Sequence, residues 1–141
     1  KKYGRLNAPL IVFANANRFN FHKMNECNIL FGDEQVVFDP NHPEANPIST
    51  RAKNGVWLSS RGIRYRRISA VTFCPDVNPW SMANRDIKVY MHPDSYYSIS
   101  GSILQLSTVR VDETGKIKYV EGKHPRNILT LPIGWPEGDM D

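Results

Sequence analysis

Apolar residues in this chain come in short runs broken by Pro, Gly, Asn and Asp, which restricts it to short strands and one or two helices. The longest run, at residues 9–14, is far shorter than the roughly 18 residues a membrane span needs. Leu10-Ile11-Val12-Phe13-Ala14 follows Pro9 without interruption, the pattern of a strand buried on both faces. One segment has helical periodicity: Asn20 as N-cap, then Phe21, Met24, Cys27 and Leu30 at spacing three, then Gly32 as a stop. Strands are expected at residues 35–38, 56–58, 68–73, 87–91, 103–111, 116–120 and 127–131. Pro40, Pro43 and Pro47 mark residues 39–54 as an irregular connection. Asn78-Pro79 reads as an N-cap with Pro at the first helical position, giving a short helix over 79–85. Asp112-Glu113-Thr114-Gly115 joins two strands as a hairpin, its turn placed about Glu113-Thr114. These elements predict an α+β fold: a mixed sheet of six to eight strands with one main helix packed on a face.

The length, 141 residues, suits one globular domain. Hydrophobic residues at 40% and charged residues at 23% exclude a disordered chain. The chain starts at Lys1 rather than Met, which fits a processed product, a trimmed chain or part of a longer protein, such as its carboxy-terminal part. Cys27 and Cys74 are too few for a disulfide scaffold and lie in or beside apolar segments. Reduced thiols and a cytoplasmic location are expected, with no membrane partner.

Charge is unevenly distributed. Between Glu44 and Asp76 there is no acidic residue, against six basic ones: Arg51, Lys53, Arg61, Arg64, Arg66 and Arg67. The acidic balance lies partly at the tail, in Glu137, Asp139 and Asp141. Trp57 and Tyr65 stand among the cations, so the stretch combines phosphate-neutralising charge with aromatic faces for stacking on bases. Strand alternation would put Arg64 and Arg66 on one face and Tyr65 and Arg67 on the other. A charged strand edge that resists aggregation has the same sequence appearance.

Other chemistry is thin. Glu121-Gly122-Lys123 lies nine residues beyond Asp112, superficially a metal-nuclease triplet. A hairpin separates those two carboxylates by on the order of 20–30 Å, too far to share one ion. His22 and Glu26 share a helix face without a third ligand, and His42 and His124 neighbour prolines without a pattern. His92-Pro93-Asp94 follows a strand, which makes His92, Asp94 and the nearby Asp76 the candidates for a polar site. There is no Gly-x-Ser-x-Gly elbow, no phosphate-binding glycine loop and no metal-ligand cluster, so no cofactor or metal is expected.

Six blocks in order carry a resemblance. They are Pro9-Leu10-Ile11-Val12-Phe13-Ala14, Ile29-Leu30-Phe31-Gly32, Asn54-Gly55-Val56-Trp57, Ile68-Ser69-Ala70-Val71, Asn78-Pro79-Trp80 and Val89-Tyr90-Met91-His92-Pro93. Over residues 9–93 they resemble the carboxy-terminal half of a group of restriction-endonuclease-like, PD-(D/E)XK-type microbial proteins. In that group the amino-terminal half supplies the acidic metal-binding residues and the lysine. The resemblance therefore implies a nuclease-like domain lacking its catalytic carboxylates, with part of the sheet and a substrate-contacting surface. No active-site residue of the group maps onto a position here. Two alternatives stand beside it: a structural or protein-interaction domain of a larger chain or assembly, and a small enzyme around His92.

Overall fold

The computed structural model describes residues 6–15, 26–74, 78, 83–132, 134 and 135. Among the described residues the elements follow one another as β1 (Ile11–Asn15), α1 (Glu26–Phe31), β2 (Glu34–Val37), β3 (Ile48–Arg51), β4 (Leu58–Ser59) and β5 (Gly62–Ile63), then β6 (Ala70–Cys74), β7 (Lys88–Met91), α2 (Gly101–Leu104), β8 (Ser107–Val111), β9 (Ile117–Val120) and α3 (Pro125–Ile128). The fold is α+β. Five strands make one mixed sheet in the order β1-β6-β7-β8-β9, and the other four pair as the ribbons β2-β3 and β4-β5. In the main sheet β1 runs parallel to β6 and β7 to β8, while β6-β7 and β8-β9 are antiparallel.

Alternation along the strands divides the core between the two faces of this sheet. On the first face Val71, Tyr90 and Val109 meet Leu30 and Phe31 of α1 and the side chain of Trp57. On the second, Ala70, Val89 and Met91 meet Ile99, Leu104 and Leu106 from the segment that leads into β8. Burying side chains such as Phe31 or Val89 stabilises the fold by about 1.5–3 kcal/mol each.

The helix ends where its sequence says it should. Gly32 takes a φ of +88° and its N–H donates to Asn28 O at 2.9 Å, a left-handed stop that a β-carbon would strain. Gly55 is required for a different reason. A β-carbon there would lie 2.3 Å from Gly32 N, because Val56 and Trp57 donate to Ile29 O and Leu30 O and draw the two backbones together. At the other end of α1, the Tyr90 hydroxyl donates to Glu26, and burial together with that carboxylate pushes the phenol's pKa up.

Several expectations need correcting. β1 is an edge strand, not one buried on both faces, and Phe13 is 51% exposed. β3 arises inside the proline-rich connection, where Ile48–Arg51 pairs with Glu34–Val37. The strand expected at 127–131 is replaced by the single helical turn α3, with His124 as N-cap and Pro125 opening the turn. The amino-terminal part of the expected first helix, and most of the one expected at 79–85, lie outside the described residues. Among the described residues no helix is long and apolar enough to cross a membrane.

Candidate nucleic-acid interface

The arginine-rich stretch is not one strand. It forms the β4-β5 hairpin and then a loop, residues 64–69, that leads into β6. Backbone hydrogen bonds fix this loop: Arg64 N to Trp57 O at 2.9 Å, Ile68 N to Tyr65 O at 2.9 Å, and Tyr96 N to Arg66 O at 2.7 Å. Tyr65 is held at a φ of 59°, a left-handed conformation that costs an L-residue about 1–2 kcal/mol. Residues 64–67 are not a strand, so alternation does not decide which sides Arg64, Tyr65, Arg66 and Arg67 take.

Three of the expected contact residues belong to the fold itself. Trp57 is 1% exposed, edge-on to Phe31 with ring centroids 5.4 Å apart and tilted against His92 at 4.8 Å. It offers no face to a base. Arg51 donates through Nη1 to Asn28 Oδ1 at 2.9 Å and Gly32 O at 2.7 Å, tying β3 to the end of α1. Arg66 pairs with its own chain: Nη2 lies 2.8 Å from Asp94 Oδ1, Nε donates to Asp94 O at 3.0 Å, and the guanidinium lies 4.8 Å from the centre of the Tyr96 ring. That ion pair is nearly half exposed, so it contributes orientation more than stability.

Lys53, Arg61, Arg64 and Arg67 remain at the surface. Among the described residues the side chains of Lys53 and Arg61 have neither a hydrogen bond nor an ion pair. The Arg64 guanidinium sits 5.0 Å from the centre of the Tyr65 ring, and its Nη2 donates to the Tyr65 hydroxyl at 3.3 Å. Tyr65 is 52% exposed. The result is an exposed arginine–tyrosine corner on a loop whose backbone is tied down from below.

His92 supplies part of that tie, which changes its expected role. Asp94 N donates to Nδ1 at 3.1 Å, so the hydrogen is on Nε2, which donates to Arg64 O at 2.8 Å. Both ring nitrogens are thus taken by backbone, and burial pushes the imidazole pKa down, against the smaller upward effects of Arg64 O and Asp94. The geometry makes His92 a neutral brace beneath Arg64, not a free acid or base. Asp94 is engaged by Arg66, and Asp76 lies outside the described residues. Among the described residues no three His, Cys, Asp or Glu side chains converge to hold a metal ion.

Beside the corner, a cleft of about 490 Å³ opens between the β4-β5 hairpin and the β8-β9 turn, with Lys53 and Glu113 at its rim over Leu58, Ile63, Pro93 and Val111. Asp112, which also borders it, is spent on the turn. The Thr114 hydroxyl donates to its carboxylate at 2.6 Å, and the N–H groups of Thr114 and Lys116 add two more bonds. These hold its pKa down to about 2, led by the Thr114 bond, with Lys118 3.5 Å away.

The sequence reading gave no place in the basic surface to Arg110, Lys118 or Lys123, which line one cleft beside β8 and β9. The available signal was Gly115, at φ +85°, which marks a three-residue hairpin loop and so shifts the pairing by one residue. Compared with protein-family models, with curated proteins and with solved structures, the chain matches none of them.

Proposed function

We propose that this chain binds single-stranded nucleic acid without cutting it. Tyr65 stacks on a base beneath Arg64, while Lys53, Arg61 and Arg67 neutralise phosphates nearby. One observation carries this reading: an aromatic side chain is held half exposed, in a strained backbone conformation, under an arginine that has no ion pair among the described residues. Strain of this kind persists where surrounding structure over-determines it, and clusters at functional positions. Base–aromatic stacking tolerates any sequence and is worth about 1–3 kcal/mol per base. The resemblance to the carboxy-terminal half of restriction-endonuclease-like proteins fits a chain that supplies substrate contacts while another segment supplies metal-binding carboxylates.

The test is fluorescence anisotropy with a labelled single-stranded oligonucleotide across a salt series. Affinity should fall with salt by about 0.7 log units per log unit for each phosphate contact. Replacing Lys53, Arg61 and Arg67 together by Gln should lower that slope by about 2. An unchanged slope in the triple variant, or no binding by the native chain, refutes the proposal.

A protein-interaction role has one observation of its own. The β2-β3 ribbon and the residue after it expose Val36, Val37, Phe38 and Ile48, each at least half in water. Exposed apolar area of this kind marks contact surfaces. Analytical ultracentrifugation of the native chain and a Val37→Ser/Phe38→Ser variant separates this reading, which requires association that the substitutions abolish.

A further inference from the structure

β8 and β9 pair so that Arg110 lies directly opposite Lys118. By alternation both share a sheet face with Thr108 and Val120. Like charges directly opposite in an antiparallel pair repel, and the fold relieves only one of them. Lys118 reaches Asp112 at 3.5 Å, whereas the Arg110 side chain is exposed and has no hydrogen bond or ion pair with any described residue.

Two clefts meet at this arginine. One, of about 270 Å³, is lined by Arg110 with Ser69, His92, Ser95 and Ser98. The other, of about 730 Å³, is lined by Arg110 with Lys118, Lys123, Gln105 and Ser100. Lys123 is fixed in place, its N–H donating to Gln105 O at 2.6 Å and its Nζ to Gln105 Oε1 at 2.9 Å. Across both clefts three cations face one carboxylate, Glu121. Pro93 and Val111 are shared with the cleft beside the β4-β5 hairpin, so all three openings adjoin around the ends of β7 and β8.

We infer that this track carries the sugar–phosphate backbone of a single strand, with Arg110 as the central phosphate ligand and Lys118 and Lys123 beside it. The inference rests on the proposed function and extends it: a strand stacked at Tyr65 continues past Lys53 and Pro93 to Arg110. A strand suits the groove better than an isolated phosphate. Lys118 and Lys123 are separated by up to roughly 16 Å of extended chain, enough for successive charges of a polymer.

The experiment compares single-stranded oligodeoxythymidylate of about 5 and about 20 nucleotides, bound to the native chain and to Arg110→Gln, Lys123→Gln and Tyr65→Gly variants. The longer strand should bind more tightly to the native chain. Arg110→Gln should reduce that advantage about 3–10-fold and lower the salt slope by about 0.7, with Lys123→Gln acting in the same direction. The thermal midpoint of Arg110→Gln should hold or rise, since a like-charge pair is relieved. If Arg110→Gln and Lys123→Gln bind the longer strand as the native chain does while Tyr65→Gly weakens both lengths, the groove is wrong and the corner stands. If Arg110→Gln weakens binding and Tyr65→Gly does not, the corner is wrong and the groove stands. Failure of the native chain to bind either length, or saturable binding of a phosphoserine peptide in preference to both, overturns the groove.

Discussion

Tyr65→Gly separates function from stability at one residue. Three terms set its effect on folding. A left-handed φ of 59° costs an L-residue about 1–2 kcal/mol, which glycine does not bear. Glycine loses more backbone freedom on folding, at a cost of about 0.5–1 kcal/mol. The ring is 52% exposed, so the packing lost with it is worth about 1–2 kcal/mol. These nearly cancel, and urea denaturation should place the variant within about 1 kcal/mol of the native chain. Binding has no such compensation: losing one stacked base costs about 1–3 kcal/mol, or roughly 5–150-fold in affinity by anisotropy. Tyr65→Phe should keep most of that affinity, because stacking needs the ring and not the hydroxyl. A loss of more than about 3 kcal/mol in stability would make Tyr65 a packing residue. Unchanged affinity would refute the stacking role.

Trp57→Ala should destabilise the fold by about 3–5 kcal/mol in chemical denaturation, because the indole is fully buried between Phe31 and His92. A loss below about 1 kcal/mol would remove Trp57 from the core. Gly55→Ala puts a methyl group 2.3 Å from Gly32 N, so the variant should melt far below the native chain or fail to accumulate as a folded species. His92 has a pKa held below its ordinary 6.5, so the unfolded chain takes up its proton first as pH falls. The stability it contributes is complete above about pH 6.5 and is lost on acidification toward the depressed folded value, a slope that His92→Gln should flatten in denaturation curves. Asp112 should titrate near 2 by NMR, and Thr114→Val should raise that value by removing the leading hydrogen bond; an unmoved titration would show that the hydroxyl is not what holds it down.

How much of this was legible depended on which interactions were local. The strand behind Pro9, the stop at Gly32 and a turn within Asp112–Gly115 all act within a few residues, and each is found there, although the strand lies at the sheet edge and the turn is one residue longer than expected. β3 was hidden because its strand character comes from pairing with Glu34–Val37, not from its own Ile-Ser-Thr-Arg residues. The turn at His124-Pro125 was legible in principle, since an N-capping residue followed by Pro opens helices more often than strands. The charged surface was the hardest part. Trp57 sits among arginines in sequence, and nothing local shows that Ile29 and Leu30 pull its backbone into the core. Arg110 escaped notice through the register: a turn one residue shorter pairs it with Ile117, whereas the three-residue loop sets it against Lys118.

The division of cations into structural and free ones follows from where the acidic residues stand. The chain has none between Glu44 and Asp76, so the arginines of that stretch that approach the core must find carbonyls, aromatic faces or a carboxylate from elsewhere. Arg51 takes Asn28 and Gly32, and Arg66 takes Asp94 and Tyr96. Asp94 and Asp112 are then committed to Arg66 and to the turn beside Lys118, and neither is left for Lys53, Arg61 or Arg110. A surface designed only for solubility intersperses both signs, which screens each charge locally. Here Lys53 and Arg110 line adjoining clefts, and in the two that meet at Arg110 three cations face the single lining carboxylate Glu121, so their fields add more than they cancel. On the proposed function, that local excess of cations is what would hold a polymer of phosphates.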